Sequence, residues 1–132
     1  MRSRDVAILT DIPDDLTILG TMNELEHILL NLVANARDAF ETQTTKEKWI
    51  AIKGRRDDEK VILTVCDNAG GIPAEVIDRI FDAYFTTKTD GKGTGIGLYM
   101  TKIIIERNFG GTIEAANTED GACFTITLQG ET

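Results

Sequence analysis

Three groups of residues have types and spacings suited to chemistry. Asn31, Asn35 and Asp38 stand at i, i+4 and i+7, the spacing that lines one stripe of a helix. Asparagine inside a helix is locally unfavourable because its amide competes for backbone hydrogen bonds. Two on one stripe therefore suggest a purpose. Amide oxygens suit a hard cation such as Mg²⁺, which needs only one or two protein ligands when phosphates and waters supply the rest. The plainer alternative is a solvated helix face. Asp67 lies in Val65-Cys66-Asp67-Asn68-Ala69-Gly70-Gly71-Ile72-Pro73, where an apolar strand gives way to a glycine turn. The carboxyl ends of strands commonly face ligands, and a carboxylate there can accept a hydrogen bond from an exocyclic amine such as that of adenine. Asp-Asn-x-Gly is equally ordinary turn chemistry. The third group is Gly91-Lys92-Gly93-Thr94-Gly95-Ile96-Gly97-Leu98, leading into a helix. Glycines let backbone N–H groups approach an anion, and a helix start favours negative charge. The spacing is neither a Walker loop nor a dinucleotide fingerprint; a flexible, glycine-rich helix entry is the alternative.

The elements that must hold these residues follow from periodicity. Thr21-Met22-Asn23-Glu24 is a capping box and predicts a helix to Phe40 or Glu41. Leu25, Ile28, Leu29, Leu32, Val33, Ala36 and Phe40 fall on its core arc, and His27 lies at the edge of the asparagine stripe. Val6–Leu9 and Leu16–Leu19 read as short strands. Trp49–Arg55 and Lys60–Cys66 alternate as paired strands around the turn Arg56–Glu59. Pro73 opens a short helix through Ile80, and residues 86–93 are polar, glycine-rich and without period. A second long helix is expected from about Gly95 to Asn108, stopped by Gly110-Gly111. Thr112–Ala116 and Ala122–Leu128 form a closing hairpin through Thr118-Glu119-Asp120-Gly121. Phe81 and Phe85 flank the polar loop, either as core aromatics or as lid anchors. The expected class is α+β: a two-layer α/β sandwich, about three helices on one mixed, mostly antiparallel five-stranded sheet.

Composition narrows the choices. A chain of 132 residues fits a single domain, 1–132. Its net charge of −8 opposes nucleic acid and anionic membrane as partners. One histidine and one serine, His27 and Ser3, leave no Ser-His-Asp hydrolase and too few ligands for a His/Cys metal site. Cys66 and Cys123 sit in apolar runs and read as small, buried, reduced thiols. No stretch is apolar for long enough to span a bilayer, and the N-terminus lacks a signal-peptide layout.

Taken in order, Asn31-x-x-x-Asn35-Ala36-x-Asp38-Ala39, Asp67-x-x-x-Gly71, Phe81-x-x-x-Phe85-Thr86-Thr87-Lys88, Gly93-x-Gly95-x-Gly97-Leu98 and Gly121-Ala122-x-Phe124 resemble the N, G1, F, G2 and G3 boxes of the sensor histidine kinase ATP-binding domain. The resemblance runs from about Asp5 to Leu128 and implies the Bergerat fold, shared with gyrase-type ATPases, heat-shock chaperones and mismatch-repair ATPases. It implies Asn35 as the Mg²⁺ ligand and Asp67, helped by Gly71 and Ile72, at the adenine. It implies an ATP lid over about 84–95 and phosphate contacts from Gly93, Thr94, Gly95, Ile96, Gly97 and Leu98. Asn31, Asp38, Phe85, Lys88 and Lys92 complete the implied ATP site, with Asn31 and Lys88 catalytic.

ATPase and anti-sigma serine kinase relatives carry a Glu as general base where this chain has Asn31. An amide cannot take a proton at pH 7, whereas a neutral histidine nitrogen attacks phosphorus with a free lone pair. The resemblance thus implies Mg-ATP-dependent transfer of the γ-phosphoryl to a histidine, with a standalone ATPase or serine kinase as the alternative. His27 lacks the His-Glu context of an acceptor. The expected partners are therefore a separate histidine-containing dimerisation domain and, for relay, a response regulator receiver domain. The chain is expected to be the catalytic piece of a longer kinase, monomeric alone and cytoplasmic, with any membrane anchor lying elsewhere in the full-length protein. Ala69 departs from the family's first G1 glycine.

Overall fold

The computed structural model describes residues 6–12, 22–40, 47–69, 71–82, 97–119 and 121–130. Five strands, β1 (Ala7–Asp11), β2 (Trp49–Asp57), β3 (Lys60–Asp67), β4 (Thr112–Asn117) and β5 (Ala122–Gln129), form one sheet in the order β1-β2-β3-β5-β4. β1 pairs parallel to β2, and every other pair is antiparallel. Two helices, α1 (Met22–Phe40) and α2 (Gly97–Asn108), complete the α+β architecture. The mixed five-stranded sheet agrees with expectation.

Strand alternation decides what the helices cover. In β3, Val61, Leu63, Val65 and Asp67 are buried, while Ile62, Thr64 and Cys66 between them are half-exposed. β5 repeats the pattern with Ala122, Phe124, Ile126 and Leu128 buried. These inward residues meet Leu25, Ile28, Leu32, Ala36 and Phe40 of α1 and Ile105 of α2 in one core. Leu29 and Val33 pack partly buried at its margin, so the arc expected for α1 is the arc it buries. The two helices run antiparallel: Glu24 near the start of α1 accepts a hydrogen bond from Asn108 at the end of α2. α2 ends where Gly111 N–H donates back to Ile105 C=O, with Gly110 at φ +63°, the usual left-handed helix stop.

Three expectations change. The segment from Pro73 to Ile80 is not a third α-helix; it is a series of tight turns with one 3-10 turn at Ile77–Arg79. A single short turn has few i→i−4 bonds to offset the cost of nucleation, and here Arg79 N–H closes onto Val76 C=O three residues back. The β2–β3 turn tightens to Asp58-Glu59. Most notably, Cys66 and Cys123 are not free buried thiols but form a disulfide. Val65 and Phe124 take the inward positions, so the period of two turns Cys66 and Cys123 to the opposite face. The β3–β5 register then sets them directly across from each other. The segment Leu16–Leu19, Thr21 and Glu41 lie outside the described residues.

Candidate functional site

Asp67 ends β3 and is 6% exposed, an unusual place for a carboxylate. It accepts a hydrogen bond from Ala69 N–H at 3.0 Å. Burial pushes its pKa above the ordinary 3.8, while backbone N–H groups of Ala69 and Ala122 pull in the opposite direction. Burial is the largest of these influences. Ala69 is itself buried in the core, so a methyl at the family's first G1 glycine position is accommodated.

The turn of the β4–β5 hairpin closes around this carboxylate. A Cβ on Gly121 would lie 2.4 Å from Asp67 O and 2.8 Å from Asp67 Oδ1, closer than any side chain fits. Gly71 has φ +87°, a conformation that favours glycine. A Cβ there would meet Asn117 Oδ1 at 3.0 Å. Ile72 packs partly buried against the core. Asp67 and Gly71 thus both lie close against the hairpin.

On the helix layer, Asn31 and Asn35 are half-buried. Asn31 Nδ2 donates to Thr101 Oγ1 of α2 at 3.4 Å, and Thr101 is fully buried. Because α1 and α2 run antiparallel, moving one turn from Asn31 to Asn35 moves one turn from Thr101 back toward Gly97. The asparagine stripe therefore climbs α1 toward the amino end of α2, where N–H groups and the dipole favour an anion. Gly97 is the first residue of α2, and Leu98 packs partly buried against the core. Phe81 packs edge-to-face on Phe124 with centroids 6.1 Å apart, and Lys102 Nζ lies 5.9 Å from its ring centre. Phe81 therefore packs, partly buried, against the core.

Asp38 lies on α1, its side chain outside the described set. Phe85, Lys88, Lys92, Gly93, Thr94, Gly95 and Ile96 also lie outside the described residues. Among the described residues no three His, Cys, Asp or Glu side chains gather as a metal cage.

The sequence did not single out Asn68, Thr101 or Asn117. Asn68 accepts from Trp49 N–H at 2.9 Å and donates to Glu47 C=O at 2.6 Å, tying the end of β3 to the start of β2. Asn117 brackets Ile72 in the same manner. Both asparagines stand beside turns, where the residue type is ordinary. Only the neighbouring strands reveal what they hold.

Residues 20–132 match the family described as Histidine kinase-, DNA gyrase B-, and HSP90-like ATPase. The chain is 39% identical over 119 residues to the two-component sensor PprA of Pseudomonas aeruginosa, covering 86% of this chain and 12% of that protein. It is 41% identical over 108 residues to the sensor histidine kinase ZraS of Salmonella typhimurium, covering 80% of this chain and 22% of that one. The chain thus spans about an eighth to about a fifth of the length of these relatives. Among solved structures, the catalytic domain of the histidine kinase ThkA superposes with a TM-score of 0.81 at 31% identity, covering 97% of this chain and 81% of that one.

Proposed function

Because the chain belongs to the histidine kinase-, DNA gyrase B- and HSP90-like ATPase family, we propose that it is the ATP-binding catalytic domain of a two-component sensor histidine kinase. The observation that carries this reading is Asp67, a carboxylate 6% exposed at a strand end, walled by backbone and left to accept a further donor. Adenine's exocyclic amine is such a donor. Gly71 and Ile72 flank the base. Asn35 would hold Mg²⁺, which would supply neutralising charge to the phosphates when bound.

The triphosphate then runs toward the amino end of α2, where N–H groups of the Gly93–Leu98 segment meet it. Asn31, held by Thr101, orients the site without taking a proton. Lys88 and Lys92 add positive charge near the transferring group, and Asp38 and Phe85 complete the site. A histidine nitrogen of a separate dimerisation domain attacks the γ-phosphorus, the bond to the β–γ bridging oxygen breaks, and ADP leaves. Catalysis of this kind rests on positioning and electrostatics rather than on a protein base. A receiver-domain aspartate of a response regulator takes the phosphoryl group next. The longer protein supplies the sensor and any membrane anchor; among the described residues no helix is long and apolar enough to cross a membrane.

The test supplies the chain with γ-labelled ATP, Mg²⁺ and a histidine-containing dimerisation domain. Label is expected on the acceptor histidine as an acid-labile, base-stable phosphoramidate, with little phosphate released when the acceptor is omitted. Steady release without acceptor would instead make the chain a standalone ATPase. Asp67→Asn is expected to weaken ATP binding by about 10- to 100-fold, the worth of a hydrogen bond to a charged group.

A further inference from the structure

We infer that Asn117 is a positioning residue for base recognition: its side-chain amide fixes the Gly71–Ile72 backbone beside Asp67 and so sets the preference for adenine. The inference rests on the reading of Asp67 as the acceptor for the adenine amine. β3 leaves the sheet after Asp67, its pairing with β5 ending at Cys66 opposite Cys123. The next residues have no ladder to hold them.

Asn117, at the end of β4, supplies the missing pairing from a side chain. Its Oδ1 accepts from Ile72 N–H at 2.7 Å and its Nδ2 donates to Ile72 C=O at 2.8 Å. One amide therefore satisfies both polar backbone groups of one residue, as a neighbouring strand would. The bracket is tight on its other side as well. Gly71, at φ +87°, leaves no room for a side chain beside the same amide, where a Cβ would meet Oδ1 at 3.0 Å. That Cβ would also lie 3.5 Å from Gly121 O, and Gly121 in turn abuts the Asp67 carboxylate. Ile72 anchors its own side chain in the core margin.

Asn68 braces the same segment at its opposite end, through Trp49 N–H and Glu47 C=O. The chain around Asp67 is therefore clamped before and after the turn. The clamp after the turn is on the hairpin that also presents Gly121 and Ala122 to the carboxylate. A carboxylate rejects the wrong base edge only when the base is held in register with it. Asn117 supplies that register through Ile72, without touching the nucleotide.

The experiment measures binding of ATP and of inosine triphosphate to the 132-residue chain by calorimetry. Inosine carries a 6-oxo acceptor where adenosine carries the 6-amino donor. Wild type is expected to prefer ATP. In Asn117→Ala, ATP affinity is expected to fall by about five- to tenfold, the worth of one or two partly solvated hydrogen bonds. Inosine triphosphate affinity should change by less than about twofold, so the preference shrinks. Asn117→Asp keeps the acceptor for Ile72 N–H and loses the donor, and should give an intermediate preference.

A purely structural role would lower the melting temperature and leave the ratio of the two affinities at its wild-type value; that result overturns the inference and leaves the reading of Asp67 standing. Wild type binding both nucleotides equally overturns the adenine reading, and the inference with it. If Asn117→Ala fails to fold, Asn117→Asp carries the same comparison, and an unchanged ratio there overturns the inference.

Discussion

Asp67 concentrates a conflict between stability and binding in one side chain. Burial raises its pKa above 3.8 in the folded chain, while the unfolded chain leaves it near the ordinary value. Between those two values the folded state binds more protons than the unfolded state, so stability falls as pH rises through that window. The ionised form therefore burdens the nucleotide-free fold at neutral pH, yet in the proposed site it is the form that would accept the adenine amine. Two trends of opposite sign follow. Chemical denaturation of the nucleotide-free chain should show stability declining from pH 3.8 upward to the raised value, a dependence that Asp67→Asn removes. The ratio of wild-type to Asp67→Asn affinity for ADP, in which the ligand's own titration cancels, should shrink as pH falls through the raised value. A ratio that stays level across the window would mean Asp67 does not accept from the base. At this scale the sequence was partly legible. Asp67 announced itself by standing at a strand end before glycines, and Asn31 and Asn35 by breaking helix preference. Asn117 was invisible, because its partner lies 45 residues away and its type is what any turn would use.

Elements were more legible than the contacts between them. The capping box and apolar arc predicted α1 closely, since a 3.6-residue period with a cap is a local signal. Alternation marked β2 to β5, and their ends moved by only a residue or two. What alternation could not reveal was register. Cys66 and Cys123 looked like core residues because both lie in apolar runs, and only the β3–β5 pairing sets them across from one another on the open face. The disulfide joins positions 57 residues apart. In the chain-entropy account a loop of that size constrains the unfolded state by about 4 kcal/mol. Adding a dithiol reductant should lower the denaturant midpoint of the wild-type chain. Cys66→Ser should sit at the lower midpoint with or without reductant. Identical midpoints for oxidised and reduced wild type would show that the crosslink does not constrain the unfolded chain. Because the bond lies on the face away from α1 and α2, ATP affinity should survive its reduction.

The molecule as a whole carries a net charge of −8 and is read as binding a polyanion. Those two facts are compatible only if attraction is local and repulsion is diffuse. Diffuse repulsion between exposed charges is screened within a Debye length, about 10 Å at 0.1 M salt. In the proposed site the backbone N–H groups of a helix start, a metal ion and a buried carboxylate would act at short range, and buried or partly buried pairs are screened much less. A protein that holds polyanions with exposed Lys and Arg loses about 10³- to 10⁵-fold in affinity between roughly 50 and 200 mM salt. This chain should behave in the opposite manner. Raising salt from about 50 to about 500 mM at fixed free Mg²⁺ should leave ATP affinity within about threefold or increase it slightly, because screening weakens the repulsion first. Calorimetric titrations across that range measure it. An affinity that fell tenfold or more would mean that lysine side chains, Lys88 and Lys92 foremost, carry the phosphates instead of the amino end of α2.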